Sequence, residues 1–210
     1  MMGRITAIEP QKRRGDRRSI FVDGEFVVGA HEDVVVTLGL SIGQFFDTDT
    51  LEQLVRAETV RKARERALRL IAYRDRTVSE IRKRLIGSDF PEDVVNEVVK
   101  QMVQAELIND EKFSRDYVKN RSAAKPMGRK RLTWELRSKG AEPPAVEQAL
   151  EGLDEQAEYR LALETAQKKI QKADRSDPKI KSRLSSFLAR RGFGWEVIAR
   201  VVGEVLIEED

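Results

Sequence analysis

Thr77-Val78-Ser79-Glu80-Ile81-Arg82-Lys83-Arg84-Leu85-Ile86-Gly87-Ser88-Asp89-Phe90-Pro91-Glu92-Asp93-Val94-Val95-Asn96-Glu97-Val98-Val99 decides the fold, because its apolar pattern returns twice further along the chain. Ile81 and Leu85 are followed by Val95, Val98 and Val99; Leu132 and Leu136 by Val146, Ala149 and Leu150; Leu184 and Leu188 by Ile198, Val201 and Val202. Counted from the second leucine, the same offsets (minus 4, plus 10, 13 and 14) hold in all three stretches, a period of 51 to 52 residues. Steps of three and four put each block on one face of a helix. Between the blocks stand Gly87-Ser88-Asp89, Gly140 and Gly192, with Phe90, Ala141 and Phe193 in register behind them. Such breakers read as helix C-caps, so the chain is a set of tandem helical units.

Around these blocks, local signals predict three helices per unit. Thr77 to Glu80 is a capping box, and Pro91 with Glu92 and Asp93 opens the next helix, since proline and acidic side chains suit a first turn. Asp110 is predicted to cap a helix carrying Phe113, Tyr117 and Val118; Gly128 and Pro143-Pro144 precede the next two. In the third unit Leu153-Asp154, Asp177-Pro178 and Trp195 introduce the helices. A long basic helix over about 51–72 leads into the first unit. The predicted divisions are an N-terminal cap (1–50) and three three-helix repeats (51–108, 109–153 and 154–210). Three units, each two helices wide at about 10 Å per helix, predict a rod of roughly 60 to 70 Å.

The cap has a different texture. Ile5 to Ile8 and Ser19 to Val22 read as strands, and Asp23-Gly24 before Glu25 to Val28 is a two-residue hairpin signal. These place a small sheet over about 4–30, with Gln11 to Arg18 as a polar loop. His31-Glu32-Asp33 then opens a short helix through Val34, Val35, Val36 and Leu38, closed by Gly39, and a turn at Gly43 leads to Phe45 and Phe46.

Composition fits a soluble, mainly helical chain with a thin core: of 210 residues 40% are hydrophobic, 36% charged and 6% aromatic. The absence of cysteine excludes disulfides and thiolate chemistry. No apolar run reaches the roughly 20 residues of a membrane helix, and no signal-peptide core is evident, which points to the cytoplasm and to no membrane partner. Charge is segregated. Arg61 to Arg84 carries net +7, Arg121 to Lys139 net +6 and Lys168 to Arg191 net +7, so with +3 overall the rest carries −17. One basic patch per unit predicts a stripe of positive potential.

Four stretches stand out together: Arg76 to Leu85; Leu107 to Phe113 with Tyr117 and Arg121; Gly128 to Leu132 with Glu135 to Gly140; and Arg191-Gly192-Phe193, spanning about 60–205. Their order and spacing resemble the RecX regulators of the bacterial recombinase RecA. The N-terminal sheet looks like the extension of longer family members. The resemblance implies a mainly α protein of three tandem three-helix repeats in an elongated, curved body behind a small β cap. It also implies a partner, the RecA nucleoprotein filament, in whose groove the protein would lie. There it would inhibit ATP hydrolysis, strand exchange and filament growth, and so modulate recombination, DNA repair and the SOS response.

Candidate contacts are the basic residues Arg76, Arg82, Lys83 and Arg84; Arg121, Lys125, Arg129, Lys130, Arg131, Arg137 and Lys139; and Arg190 and Arg191. Trp134 joins them as an aromatic that either packs or meets the partner, whereas Trp195 is expected to pack. The single histidine, His31, reads as a cap rather than a metal ligand, and Gly140 and Gly192 as C-caps rather than phosphate loops. No nucleophile, base and orienter can be assembled, so no enzyme and no cofactor are expected, and the chain is read as a monomer. Two alternatives stand beside RecA regulation. One is a helix-turn-helix protein binding DNA, single- or double-stranded, through its phosphates; the other is a helical scaffold for another partner.

Overall fold

A computed structural model describes residues 2–11, 14–171, 173 and 177–207. Two compact units emerge, residues 1–108 and 109–210.

The first unit opens with an antiparallel sheet of β1 (Met2–Gln11), β2 (Arg14–Val22), β3 (Glu25–His31) and β4 (Phe45–Asp47), in the order β3-β2-β1-β4. The hairpin at Asp23-Gly24 is as predicted, both residues having positive φ (50° and 85°), the twist that a two-residue turn between strands requires. One expectation fails here. Gln11 to Arg18 is not a loop: β1 runs to Gln11 and β2 starts at Arg14, with Lys12 and Arg13 outside the described residues. The polar strand holds because Pro10 pairs with Arg18 in the ladder and Arg17 donates to the carbonyls of Gly29 (3.0 Å) and Asp89 (2.9 Å). Phe45 and Phe46 also form an edge strand, against Met2 to Arg4, a pairing between segments too far apart for a local signal.

His31 caps the short α1 (Glu32–Thr37), its Nδ1 accepting from the Asp33 amide at 3.3 Å, and Gly39 follows with φ 61°. Then α2 (Thr48–Tyr73) joins two cores. Its Leu51 and Val55 pack with Ile5, Ile20 and Val34; its Ala63 and Ala67, small enough for close approach, pack with Ile81, Leu85, Val95 and Val98. Those partners lie on α3 (Val78–Ile86) and α4 (Glu92–Gln104). The Thr77 hydroxyl caps α3 by accepting from the Glu80 amide at 3.1 Å.

The second unit holds α5 (Asp110–Ala124), α6 (Arg129–Ser138) and α7 (Pro143–Ala149), then α8 (Glu155–Ile170), α9 (Ile180–Arg190) and α10 (Trp195–Ile207). Every repeated apolar position is buried except Ala149, which is half-buried. Burying each such Val or Leu contributes about 1.5–3 kcal/mol. The cap of α5 is Asn109, whose side chain accepts from the Lys112 amide at 2.8 Å, not Asp110. Asn109 has the extended backbone a cap needs, while Asp110 sits in the first turn, where the positive end of the helix dipole favours its charge.

The breakers share one geometry. Gly140 (φ 80°) and Gly192 (φ 81°) take the left-handed conformation, and in the first repeat Asp89 (φ 60°) takes it while Gly87 stays helical. Phe90, Ala141 and Phe193 then donate to Leu85, Leu136 and Leu188, five residues back in each case. That is the Schellman closure, and it fixes how each middle helix hands over to the next.

Candidate partner-binding groove

Helix α6 turns Leu132 and Leu136 inward, so the same periodicity turns Lys130, Thr133, Trp134 and Arg137 outward along one stripe. These four, with Arg129, Ser138, Glu158 of α8 and Gly194 before α10, line an open groove of about 740 Å³. Trp134 is 58% exposed, and Lys130 and Arg137 are exposed beside it. A solvated tryptophan flanked by cations is the composition of an interaction surface rather than of a core.

The groove rests on a seam between the second and third repeats. Gly128 donates its amide to the Arg191 carbonyl (2.9 Å), and Lys130 to that of Gly192 (3.2 Å). Thus the start of α6 gains acceptors from the end of α9 in place of a side-chain cap. A Cβ on Gly128 would stand 2.4 Å from the Gly192 oxygen, so the approach requires glycine. Arg129 completes the seam: its amide donates to Glu158 Oε1 (2.9 Å), and its guanidinium to the carbonyls of Leu150 (2.8 Å) and Leu153 (3.2 Å).

Beneath α6 lies a buried carboxylate. Glu135 accepts from Tyr117 Oη (2.7 Å), Arg121 Nε (3.0 Å) and Arg131 Nε (2.8 Å). Burial by itself raises this carboxyl, but the hydrogen bonds from Arg121, Tyr117 and Arg131 outweigh it and hold the group at about 2, below its ordinary 4.5. The folded state therefore releases this proton at lower pH than the unfolded chain. Its contribution is complete above about pH 4.5 and is lost as pH falls toward 2. Discounted for the exposed arginines, the loss is about 2 kcal/mol. Urea titrations between pH 5 and pH 2.5 check this: Glu135→Gln should flatten the pH dependence of the second unit's stability by about that amount.

The basic candidates separate into two groups. Lys83 and Arg84 on α3, Lys125 after α5, Lys130 and Arg137 on α6, and Arg190 on α9 are exposed. Others already hold partners: Arg82 bonds Asn96, Arg76 bonds the Leu70 carbonyl, and Arg121 and Arg131 bond Glu135. Arg191 bonds the Pro126 carbonyl and lies over the Phe187 ring, and Lys139 lies 5.3 Å from the Tyr117 ring centroid. Arg129, half-buried, serves the seam, so Arg129-Lys130-Arg131 is not one solvent-facing ridge. Trp195 does not pack as expected; it is 70% exposed at the start of α10, directly after the groove residue Gly194. Glu135 and Glu158 went unread in the sequence. A lone acid between Leu132 and Leu136 in a window of net +6 was the available sign for Glu135.

Among the described residues no group of three or more His, Asp or Glu could hold a metal ion, and no helix is long and apolar enough to cross a membrane.

Comparison with known proteins matches four successive stretches of the chain. Residues 3–47 match the regulatory protein RecX N-terminal domain, and 63–102, 109–150 and 156–202 match the first, second and third RecX three-helix domains. Regulatory protein RecX of Clostridioides difficile is 28% identical over 98% of this chain and 97% of its own length. That of Clostridium acetobutylicum is 29% identical over 98% of each. A crystal structure of regulatory protein RecX superposes with a TM-score of 0.64 at 25% identity, covering 95% of this chain and 98% of the other. RecX from Lactobacillus salivarius gives 0.63 over 71% of this chain, at 24% identity. With four family domains matched in order on a β cap and three Schellman-closed helical repeats, the chain belongs to the RecX family of regulatory proteins.

Proposed function

We propose that this chain regulates RecA by binding the RecA–DNA filament and inhibiting ATP hydrolysis, strand exchange and filament growth. In this reading the cap (1–50) and the three domains (51–108, 109–153, 154–210) are successive stations for a polymeric target, where linked weak contacts multiply in affinity. The observation that carries it is the α6 groove: an exposed indole between Lys130 and Arg137, on a chain whose family is regulatory. Tryptophan and arginine are the side chains that most often dominate binding energy at such surfaces.

A second reading, direct binding to DNA phosphates, is favoured by the exposed cations spread over the repeats, Lys83 and Arg84, Lys130 and Arg137, and Arg190. Salt separates the two. Phosphate binding loses affinity with log salt at a slope of about 0.7–0.9 per contact. Co-sedimentation with RecA filaments and with bare DNA over a salt series should give a shallow slope on filaments and weak, easily salted-out binding to DNA. Equal affinity and equal slope on both would overturn the filament reading in favour of the DNA one.

A further inference from the structure

Glu135 is a costly residue to place where it is. An ionised carboxylate only 6% exposed on α6, between the core residues Leu132 and Leu136, loses its hydration and must be repaid by donors. Tyr117 and Arg121, one turn apart on α5, supply an Oη at 2.7 Å, an Nε at 3.0 Å and an Nη2 at 3.4 Å. Those donors engage both oxygens. Arg131 nevertheless adds a third partner at 2.8 Å, and its side chain is 42% exposed, so water could have satisfied it. The same guanidinium also meets an aromatic ring. Arg131 Cζ sits 4.7 Å from the centroid of the Trp134 ring, in cation–π contact, three residues further along the same helix.

We infer that Glu135 is a positioning residue for the α6 groove: it fixes Arg131 against Trp134 and thereby holds the exposed indole in one orientation. A solvated tryptophan on a helix surface can exchange rotamers within nanoseconds. Ordering it during association costs about 0.5–1.5 kcal/mol. A guanidinium anchored from beneath removes that freedom before a partner arrives. The chain of contacts runs from Tyr117 and Arg121 through Glu135 to Arg131 and Trp134, so α5, whose side chains do not line the groove, sets the shape of its aromatic wall. That the wall meets a partner rests on the function proposed above; that Glu135 orders it does not.

The test uses the full chain with Trp195→Phe, which leaves Trp134 as its single tryptophan. Time-resolved anisotropy and acrylamide quenching of Trp134 are compared in that background, in Glu135→Gln and in Arg131→Met. Glu135→Gln loses the charge, and Arg131→Met keeps Glu135 paired with Arg121 and Tyr117, so a folded variant remains even if the first is unstable. Both should keep their helix content by circular dichroism, gain a fast component of indole motion, and roughly double the quenching constant. A purely structural role for Glu135 would lower stability and leave both signals of the folded protein unchanged, which would overturn the inference. Affinity for RecA filaments, measured on the same variants, should fall about threefold to tenfold, the range corresponding to the ordering cost. Loosened Trp134 with undiminished affinity would leave the positioning role standing and remove the groove from the filament contact.

Discussion

Gly192→Ala lowers the stability of the second unit by about 3–4 kcal/mol, the largest effect expected of any single substitution considered. The residue has φ 81°, where an L side chain costs about 1–2 kcal/mol. Its Cβ would also stand 2.3 Å from Arg131 Cβ and 2.4 Å from the Arg131 nitrogen. Overpacking of that kind costs about 1–3 kcal/mol, and the neighbour cannot retreat, because Lys130 and Gly128 are hydrogen-bonded to this same segment. Gly128→Ala isolates the second term: its φ of −76° is ordinary, but its Cβ would meet the Gly192 oxygen and Phe193 nitrogen at 2.4 Å, so about 1–3 kcal/mol is expected. Both tryptophans lie in the second unit, so urea unfolding followed by fluorescence reports this transition without interference from the first. A loss below about 1 kcal/mol for Gly192→Ala would mean that the seam yields, and the rigid seating of α6 would have to be abandoned.

The combined variant Lys130→Ala, Trp134→Ala, Arg137→Ala is expected to weaken filament binding about 100-fold with its helix content unchanged. Truncating a central tryptophan at an interface costs 2 kcal/mol or more, and flanking cations add to the on-rate and a few tenths of a kcal/mol each. None of the three side chains is buried, so their loss leaves the cores built on Leu132 and Leu136 intact. A block of Arg129, Lys130 and Arg131 would be a poorer choice: losing the Arg129 bonds to Leu150 and Leu153 opens the seam, and losing Arg131 removes one of the three partners of Glu135. Lys83→Ala with Arg84→Ala, exposed on α3 and not part of the α6 groove, serves as the control, with a loss of about threefold or less.

The repeats were legible because burial imposes a period. Ile81, Leu132 and Leu184, and Leu85, Leu136 and Leu188, must face inward, and no other arrangement of their neighbours satisfies steps of three and four. The closures at Gly140 and Gly192 were legible for a similar reason, since only a few residue types tolerate their backbone. What escaped reading depends on partners distant in sequence. Arg17 belongs to a strand partly because its guanidinium reaches the Asp89 carbonyl, 72 residues on, and Phe45 pairs with Arg4 across the whole cap. The candidate site was half legible. Charge windows drew attention to these helices, but charge alone does not distinguish Lys130, which is exposed, from Arg129, which meets carbonyls. Trp195, expected to pack, is exposed because α10 starts at that residue and turns Val197, Ile198, Val201 and Val202 inward instead.

If the α6 groove is the surface through which this chain restrains RecA, DNA-dependent ATP hydrolysis by RecA must respond to it. RecA assembled on single-stranded DNA is titrated with the wild-type chain and, separately, with the Lys130→Ala, Trp134→Ala, Arg137→Ala variant. The wild type should lower the hydrolysis rate at or below one molecule per RecA subunit, while the variant should leave the rate unchanged over the same range. A wild-type chain that sediments with filaments yet leaves hydrolysis untouched, or a variant that inhibits as strongly as the wild type, would contradict it.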